Sequence, residues 1–214
     1  MGQKVSAYAL RLGINQAWKS HYFPPKKGQA NWLQQDKLIR DYLFSRFPGI
    51  NQIKIERTET ELIIFVHSPN TSLITGESND NSDAVLAKIS QIVNDQKIVT
   101  KLRLVTERDT AQAIANDLAR QLEDRVDYRL ALRNLLFKLR QEVWGFMIVI
   151  NGLIGGVEIA QSKKTKQGQM PFGTLVCLIE HGWAEANTDR GQVGITVFIY
   201  KGKREKINYG NSNT

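Results

Sequence analysis

The chain has 214 residues, of which 42% are hydrophobic and 23% charged, a composition typical of one large globular domain or two small ones. Its net charge of +8 favours an acidic partner such as nucleic acid or an anionic membrane surface. The single cysteine, Cys177, excludes an intrachain disulfide and a multi-thiol metal site. No apolar run is longer than five residues, as in 146–150, which is far too short to cross a bilayer, so we expect a soluble protein.

The first half of the chain predicts an irregular arm followed by mixed helices and strands. Residues 15–31 contain a Pro-Pro pair and several lysines, and we interpret them as a basic arm. Apolar side chains at helical spacing predict a helix over 32–47, which a Pro-Gly pair ends. The predicted elements that follow are strands over 52–57 and 61–67, a loop over 68–82, a helix over 84–93 and a strand over 98–105.

The second half predicts one long helical stretch, over 110–141, which forms either one bent helix or two. Three strands are predicted after it, over 146–150, 175–179 and 193–201. In the last of them Val197 and Ile199 alternate with Phe198 and Tyr200, as expected of a strand with two apolar faces. Residues 201–214 form a polar tail that we expect to be mobile.

This order of elements predicts two α+β domains divided near Arg108. The first, over 1–108, contains the arm, and the second, over 109–214, contains the polar tail. The C-terminal domain is expected to have a mostly antiparallel sheet.

The long helical stretch carries four arginines that fall on roughly one stripe: Arg125, Arg129, Arg133 and Arg140. On the residues alone, the favoured interpretation is a solvated face with salt bridges to neighbours such as Asp124 and Asp127. The alternative is a set of guanidinium groups that binds phosphates, for which the fork of arginine is well suited.

A second basic region lies in the first 55 residues, whose net charge is +7, whereas residues 56–110 carry −3. Its cations are Lys4, Arg11, Lys19, Lys26 and Lys27, interleaved with Tyr8, Trp18, Tyr22 and Phe23. Cations and aromatic rings together favour single-stranded RNA binding. Packing of these rings against the 32–47 helix is an equally open interpretation.

The glycine pair at 155–156 lacks the spacing of a nucleotide-binding loop and is better explained as a tight turn. Lys163, Lys164 and Lys166 follow it and are candidates for phosphate contacts, which depend on charge more than on fixed geometry. The three histidines are far apart in sequence and have no metal-ligand spacing. We therefore predict no metal, no cofactor and no catalytic site.

Several motifs, in this order and separation, resemble those of the family of ribosomal small-subunit protein three, in its bacterial or organellar form. They are Met1-Gly2-Gln3-Lys4-Val5, Arg11-Leu12-Gly13, Gly155-Gly156-Val157-Glu158-Ile159-Ala160 and Gly191-x-x-Gly194 through Lys201-Gly202. The resemblance covers residues 1 to about 202 and includes the segment 35–42.

The resemblance implies a KH-like domain of type II at the N-terminus. KH domains hold single-stranded RNA with a Gly-x-x-Gly turn between two helices. The matching positions are Gly76, Glu77, Ser78 and Asn79, which lack the second glycine and the central basic residues. Glu77, Asp80 and Asp83 would oppose phosphate there, so the resemblance implies a KH fold kept as a scaffold with its RNA grip lost.

The resemblance also implies a structural role in the head of the small ribosomal subunit, with ribosomal RNA bound and the mRNA entry channel lined by the arginine-bearing helix. Its implied neighbours are small-subunit proteins ten and fourteen, with four and five completing the entry ring. The departures from the family pattern favour an organellar ribosome slightly over a bacterial one. The alternative function is a free KH-type RNA-binding regulator outside the ribosome.

Overall fold

The computed structural model describes residues 5–23, 28–47, 49–58, 60–75, 80–93, 98–107, 110–139, 143–155 and 157–203. The chain divides into two compact units. The middle unit is Trp18–Ala113, and the C-terminal unit combines Ile114–Thr214 with Met1–Ala17. Both contain helices and a β-sheet, which confirms the predicted α+β class.

The middle unit is built on a four-stranded sheet. Its elements are β1 (Ser20–His21), α1 (Gln29–Arg46), β2 (Gln52–Arg57), β3 (Glu61–Ser68), α2 (Ser72–Thr75), α3 (Asp80–Val93) and β4 (Val99–Thr106). The strand order follows the chain, with β2 and β3 antiparallel and β1 and β4 joined to them in parallel. The helix 84–93 and the strands 52–57, 61–67 and 98–105 are confirmed within a few residues, as is the helix 32–47.

The core of the middle unit forms because helix and strand periodicities place apolar side chains on one side. On α1, Ile39 and Leu43 are one turn apart and both fully buried. On β3, alternate residues Leu62, Ile64 and Val66 are fully buried as well. These residues form one apolar cluster with β2 and α3.

Two predictions for this unit are wrong in part. The segment 68–82, predicted as a loop, contains α2 and the first residues of α3. The arm 15–31 contains β1, in which Ser20 is aligned with Ile55 of β2. A strand of two residues is too short to show alternation, so the pattern could not reveal it.

The C-terminal unit is a second α+β arrangement. Its elements are α4 (Ala111–Glu123, of which 111–113 belong to the middle unit), α5 (Tyr128–Leu139), β5 (Gly145–Gly152), β6 (Gln161–Gly168), β7 (Cys177–Thr188) and β8 (Gly191–Lys203). The sheet has the order β6-β5-β8-β7, and every pairing is antiparallel, as predicted. The predicted long helix is two helices.

Both faces of this sheet carry buried apolar side chains, as strand β8 shows. Val197 and Ile199 are fully buried on one face, whereas Phe198 and Tyr200 point to the other and join Met147 in a second cluster. The predicted alternation of β8 is thus confirmed. Cys177, which belongs to the same cluster, is buried.

The strand β6 was not predicted, because its sequence, Gln161–Gly168, contains no apolar residue. It lies at the edge of the sheet and pairs only with β5, where Ile150 is opposite Lys163 and Met147 is opposite Lys166. Lysines are typical of edge strands, since their charge discourages pairing with another chain.

The first residues of the chain pack in the C-terminal unit through Arg11, whose side chain is completely buried. Its Nε donates to the carbonyl of Cys177 at 2.9 Å and its Nη1 to that of Ala7 at 2.8 Å. Its Nη2 donates to three further carbonyls, those of Pro171, Phe172 and Thr174, at 2.9–3.2 Å. This long-range anchor holds residues 5–17 to the C-terminal unit. The domains predicted from the sequence, 1–108 and 109–214, remain a prediction.

Candidate nucleic-acid interface

The exposed side of α5 carries two of the predicted arginines. Arg129 and Arg133 are both exposed and lie one turn apart on the helix. The Nε of Arg129 donates to the hydroxyl of Tyr128 at 3.1 Å, and this hydrogen bond raises the pKa of Arg129. Arg133 has no ion-pair partner among the described residues. This pair of cations therefore faces solvent on a rigid element.

Arg125 does not continue the stripe predicted for it. It lies in the turn between α4 and α5 and is the one described residue other than glycine with a positive φ, +60°. Its Nη2 forms an ion pair with Asp189 at 2.6 Å, and both side chains are largely exposed. Asp127, expected as a salt-bridge partner, instead accepts a hydrogen bond from the backbone N–H of Arg129 at the start of α5.

The three lysines of β6 form the second exposed basic surface. Lys163, Lys164 and Lys166 are all exposed, and none has an ion-pair partner within the described ranges. Because side chains alternate along a strand, Lys164 and Lys166 share one face and Lys163 points to the other. Cations thus project on both sides of the sheet edge.

Arg11 was predicted to contact RNA and is instead fully buried, with its guanidinium hydrogen-bonded to five backbone carbonyls. It is not accessible to a phosphate, and we assign it a structural role. The sequence pattern could not separate it from the other cations of the arm, since four of its five acceptors lie 160–166 residues away.

Of the aromatic residues in the basic arm, one packs against α1 and two are exposed, so both interpretations, packing and RNA stacking, apply to part of the arm. The ring of Tyr22 packs edge-on against Trp32 of α1, with centroids 5.7 Å apart. Trp18 and Phe23 are exposed, to 58% and 96% respectively. Beside them, burial and the neighbouring Arg40 lower the pKa of Lys19. The two exposed rings are available for stacking, whereas Tyr22 is used for packing.

Several predicted site residues lie outside the described part of the chain. They are Lys4, Lys26, Lys27 and Arg140, together with the KH turn positions Gly76, Glu77, Ser78 and Asn79. The turn positions fall between α2 and α3 in the chain order.

Sequence reasoning missed Arg190, an exposed residue in the turn between β7 and β8. A single arginine in a turn has no spacing that could have indicated a site. In the described residues no three His, Cys, Asp or Glu side chains are grouped to hold a metal. None of the described helices is long and apolar enough to cross a membrane.

Residues 118–199 match the family model described as ribosomal protein S3, C-terminal domain. Bacterial proteins named small ribosomal subunit protein uS3 are similar over nearly the whole chain. That of Desulforamulus reducens is 32% identical over 206 residues, which cover 95% of this chain and 93% of the relative. That of Clostridium botulinum is 31% identical over 216 residues, 97% of each chain. That of Borrelia hermsii is 36% identical over 213 residues, 95% of this chain and 76% of the relative.

These relatives bear out the resemblance found in the sequence, but they give no support to the predicted organellar origin, because all of them are bacterial. The chain belongs to the ribosomal protein S3 family and is an RNA-binding structural protein of the small ribosomal subunit, not an enzyme.

Proposed function

We propose that the C-terminal unit binds ribosomal RNA through two basic surfaces and lines the mRNA entry channel of the small subunit. The first, the arginine surface, consists of Arg129 and Arg133 on α5 with Arg125 in the preceding turn. The second, the lysine strand, consists of Lys163, Lys164 and Lys166 on β6. Both lie on regular elements or a hydrogen-bonded turn of one compact unit, which favours defined phosphate positions.

The lysine strand carries the proposal. A strand rises about 3.3 Å per residue, so Lys164 and Lys166 project from one face about 7 Å apart. The three lysines are exposed and lack carboxylate partners in the part of the chain that the structure describes. Phosphates of a nucleic-acid backbone are the partners that such a row of unpaired cations favours, because their binding releases condensed counterions.

In this proposal the middle unit is a KH-like scaffold that does not bind RNA at its KH turn. Two helices, α2 and α3, flank the positions that match the KH turn, as the resemblance requires. Asp83, on the second of these helices, is exposed. A carboxylate there opposes phosphate, so we place RNA binding in the C-terminal unit and not at this turn.

The proposed partners follow from the family. They are ribosomal RNA, mRNA at the entry channel and small-subunit proteins ten and fourteen, with four and five around the entry. Membership of a ribosomal family favours this role over a free KH-type regulator.

The salt dependence of RNA binding by the full-length chain tests the proposal. Replacing the lysine strand by glutamine (Lys163→Gln, Lys164→Gln, Lys166→Gln) removes three phosphate contacts. We expect the slope of log K against log salt to fall in magnitude by about 2 for single-stranded RNA, at roughly 0.7 per contact.

The matched control carries the same charge change on the middle unit: Lys54→Gln, Lys88→Gln, Lys101→Gln. If its slope and affinity change as much as those of the lysine-strand variant, net charge alone governs binding and the proposed surface is wrong.

A further inference from the structure

A cleft of about 450 Å³ lies at one end of the C-terminal unit, where the α4–α5 turn, the loop after β5 and the β7–β8 turn meet. Its floor is apolar and includes Leu122, Val126, Leu153 and Val193. Its rim carries Arg125 and Arg190, with the ring of Tyr128 among the lining residues. Apolar side chains beside two guanidinium groups match a ligand that has a flat apolar body and an anionic group.

Three carboxylates also line the cleft, and each keeps its charge but already has a hydrogen-bond or ion-pair partner in the fold. Glu123 accepts a hydrogen bond from the backbone N–H of Asn187 at 3.0 Å, and Asp127 caps α5. Asp189 pairs with Arg125 at 2.6 Å. Arg190, in contrast, has no ion-pair partner among the residues that the structure describes. The Arg190 guanidinium therefore has no carboxylate in contact within the described residues, and the Arg125 guanidinium has one that another anion can replace.

Replacing Asp189 by another anion as the partner of Arg125 loses little stability. Arg125 and Asp189 have side-chain exposures of 78% and 70%, and an ion pair so open to water contributes little to stability. A phosphate accepts two parallel hydrogen bonds from an arginine fork and competes well with a surface carboxylate.

The backbone fixes the shape of the cleft at two positions. Arg125 adopts φ +60°, held by hydrogen bonds from its own N–H to the carbonyl of Leu122 and from the N–H of Val126 to that of Gln121. Gly155 has φ +67°, and a Cβ there would lie 3.1 Å from Cε1 of Tyr128. The absence of a side chain at Gly155 is what allows the tyrosine ring to lie against this loop.

We propose that the cleft binds one unpaired RNA nucleotide, with its base on the apolar floor beside Tyr128 and its phosphate between Arg125 and Arg190. The volume is within the roughly 300–1,000 Å³ typical of small-ligand sites, and only a base outside a duplex can enter such a concavity. This inference rests on the proposed RNA binding of the C-terminal unit and adds to it a site for a single-stranded nucleotide.

The test compares one RNA oligomer, single-stranded and annealed to its complement, on the full-length chain. Arg190→Gln is expected to weaken single-strand binding three- to tenfold and to reduce the salt slope by about 0.7, with duplex binding changed less than twofold. Arg103→Gln, which removes an exposed arginine from β4, is the charge-matched control and is expected to leave both affinities within twofold. Equal losses on single strand and duplex, or no loss on either, would overturn the proposal.

A second readout does not depend on a variant. An oligomer that contains 4-thiouridine is expected to crosslink, on irradiation, to a peptide that includes Tyr128 or Arg190. Crosslinks confined to other peptides contradict the cleft as the site.

The two proposals fail separately. If the lysine-strand variant binds RNA normally and the Arg190→Gln variant does not, the proposed role of the lysine strand is wrong and the proposed nucleotide site in the cleft is supported. If only the lysine-strand variant loses affinity, RNA binds to the unit without entering the cleft.

Discussion

Replacing Arg11 by methionine tests whether this buried cation attaches the start of the chain to the C-terminal unit. Methionine keeps much of the apolar stem but removes all five hydrogen bonds. The bonds to Ala7 and Cys177 are buried, and each acceptor left unpaired in such a position costs about 1–3 kcal/mol. The other three carbonyls are only partly buried and regain water.

We therefore expect the Arg11→Met variant to lose about 2–6 kcal/mol in the C-terminal unit, since two buried carbonyls lose their donor at about 1–3 kcal/mol each. Such a loss is large beside the roughly 5–15 kcal/mol that stabilises a domain. Hydrogen exchange read by mass spectrometry resolves the two units. Amides of β5 and β8 are expected to exchange more than tenfold faster, because each 1.4 kcal/mol corresponds to about tenfold.

Amides of β2 and β3, in the middle unit, serve as the internal reference and are expected to be unchanged. Arg133→Met, at an exposed arginine of α5, is the matched variant and is expected to cost less than about 0.5 kcal/mol. An Arg11→Met protein whose β5 and β8 amides accelerate less than tenfold, or no more than those of β2 and β3, would refute this reasoning.

Three further predictions concern single positions. Gly155→Ala places a Cβ in a left-handed conformation 3.1 Å from the Tyr128 ring, and we expect it to lower the free energy of unfolding in urea by about 1–2 kcal/mol. Gly173 has open space around it, so Gly173→Ala is expected to leave that free energy unchanged. Burial raises the pKa of Asp36 above its ordinary value of 3.8, although Arg57 lies 3.4 Å away. The folded state thus holds a proton that the unfolded state has released, and unfolding free energy should fall with rising pH from about 3.8 to the folded-state pKa. The Asp36→Asn variant should lack this fall of the unfolding free energy with pH. An identical pH profile for the two proteins would contradict the prediction. Cys177 is buried, so its alkylation in native buffer should be slow and should accelerate with urea only as the C-terminal unit unfolds; rapid native labelling contradicts that burial.

The sequence predicted those elements whose burial leaves a periodic pattern. β2, β3 and β8 alternate between buried and exposed positions, and α1 and α3 place apolar residues one turn apart, so their bounds were found within a few residues. β6 could not be found in this way, because it is held only by the backbone hydrogen bonds of an edge and has no apolar side chain.

The candidate site was only partly predictable, for a related reason. Arg129 and Arg133 followed from helical spacing, but the break at Arg125 required a left-handed residue where the sequence offers no glycine. The burial of Arg11 and the position of Arg190 at the cleft depend on segments brought together by the fold. Contacts of this range leave no mark in local sequence.

The most direct test of the central claim is sedimentation of small ribosomal subunits through sucrose gradients at rising salt, with the chain followed by mass spectrometry. We expect the unmodified chain to remain with the subunit. The lysine-strand variant should be released at a lower salt concentration than the control with Lys54, Lys88 and Lys101 replaced. Release of the unmodified chain into the light fractions, or equal release of the two variants, would contradict the account.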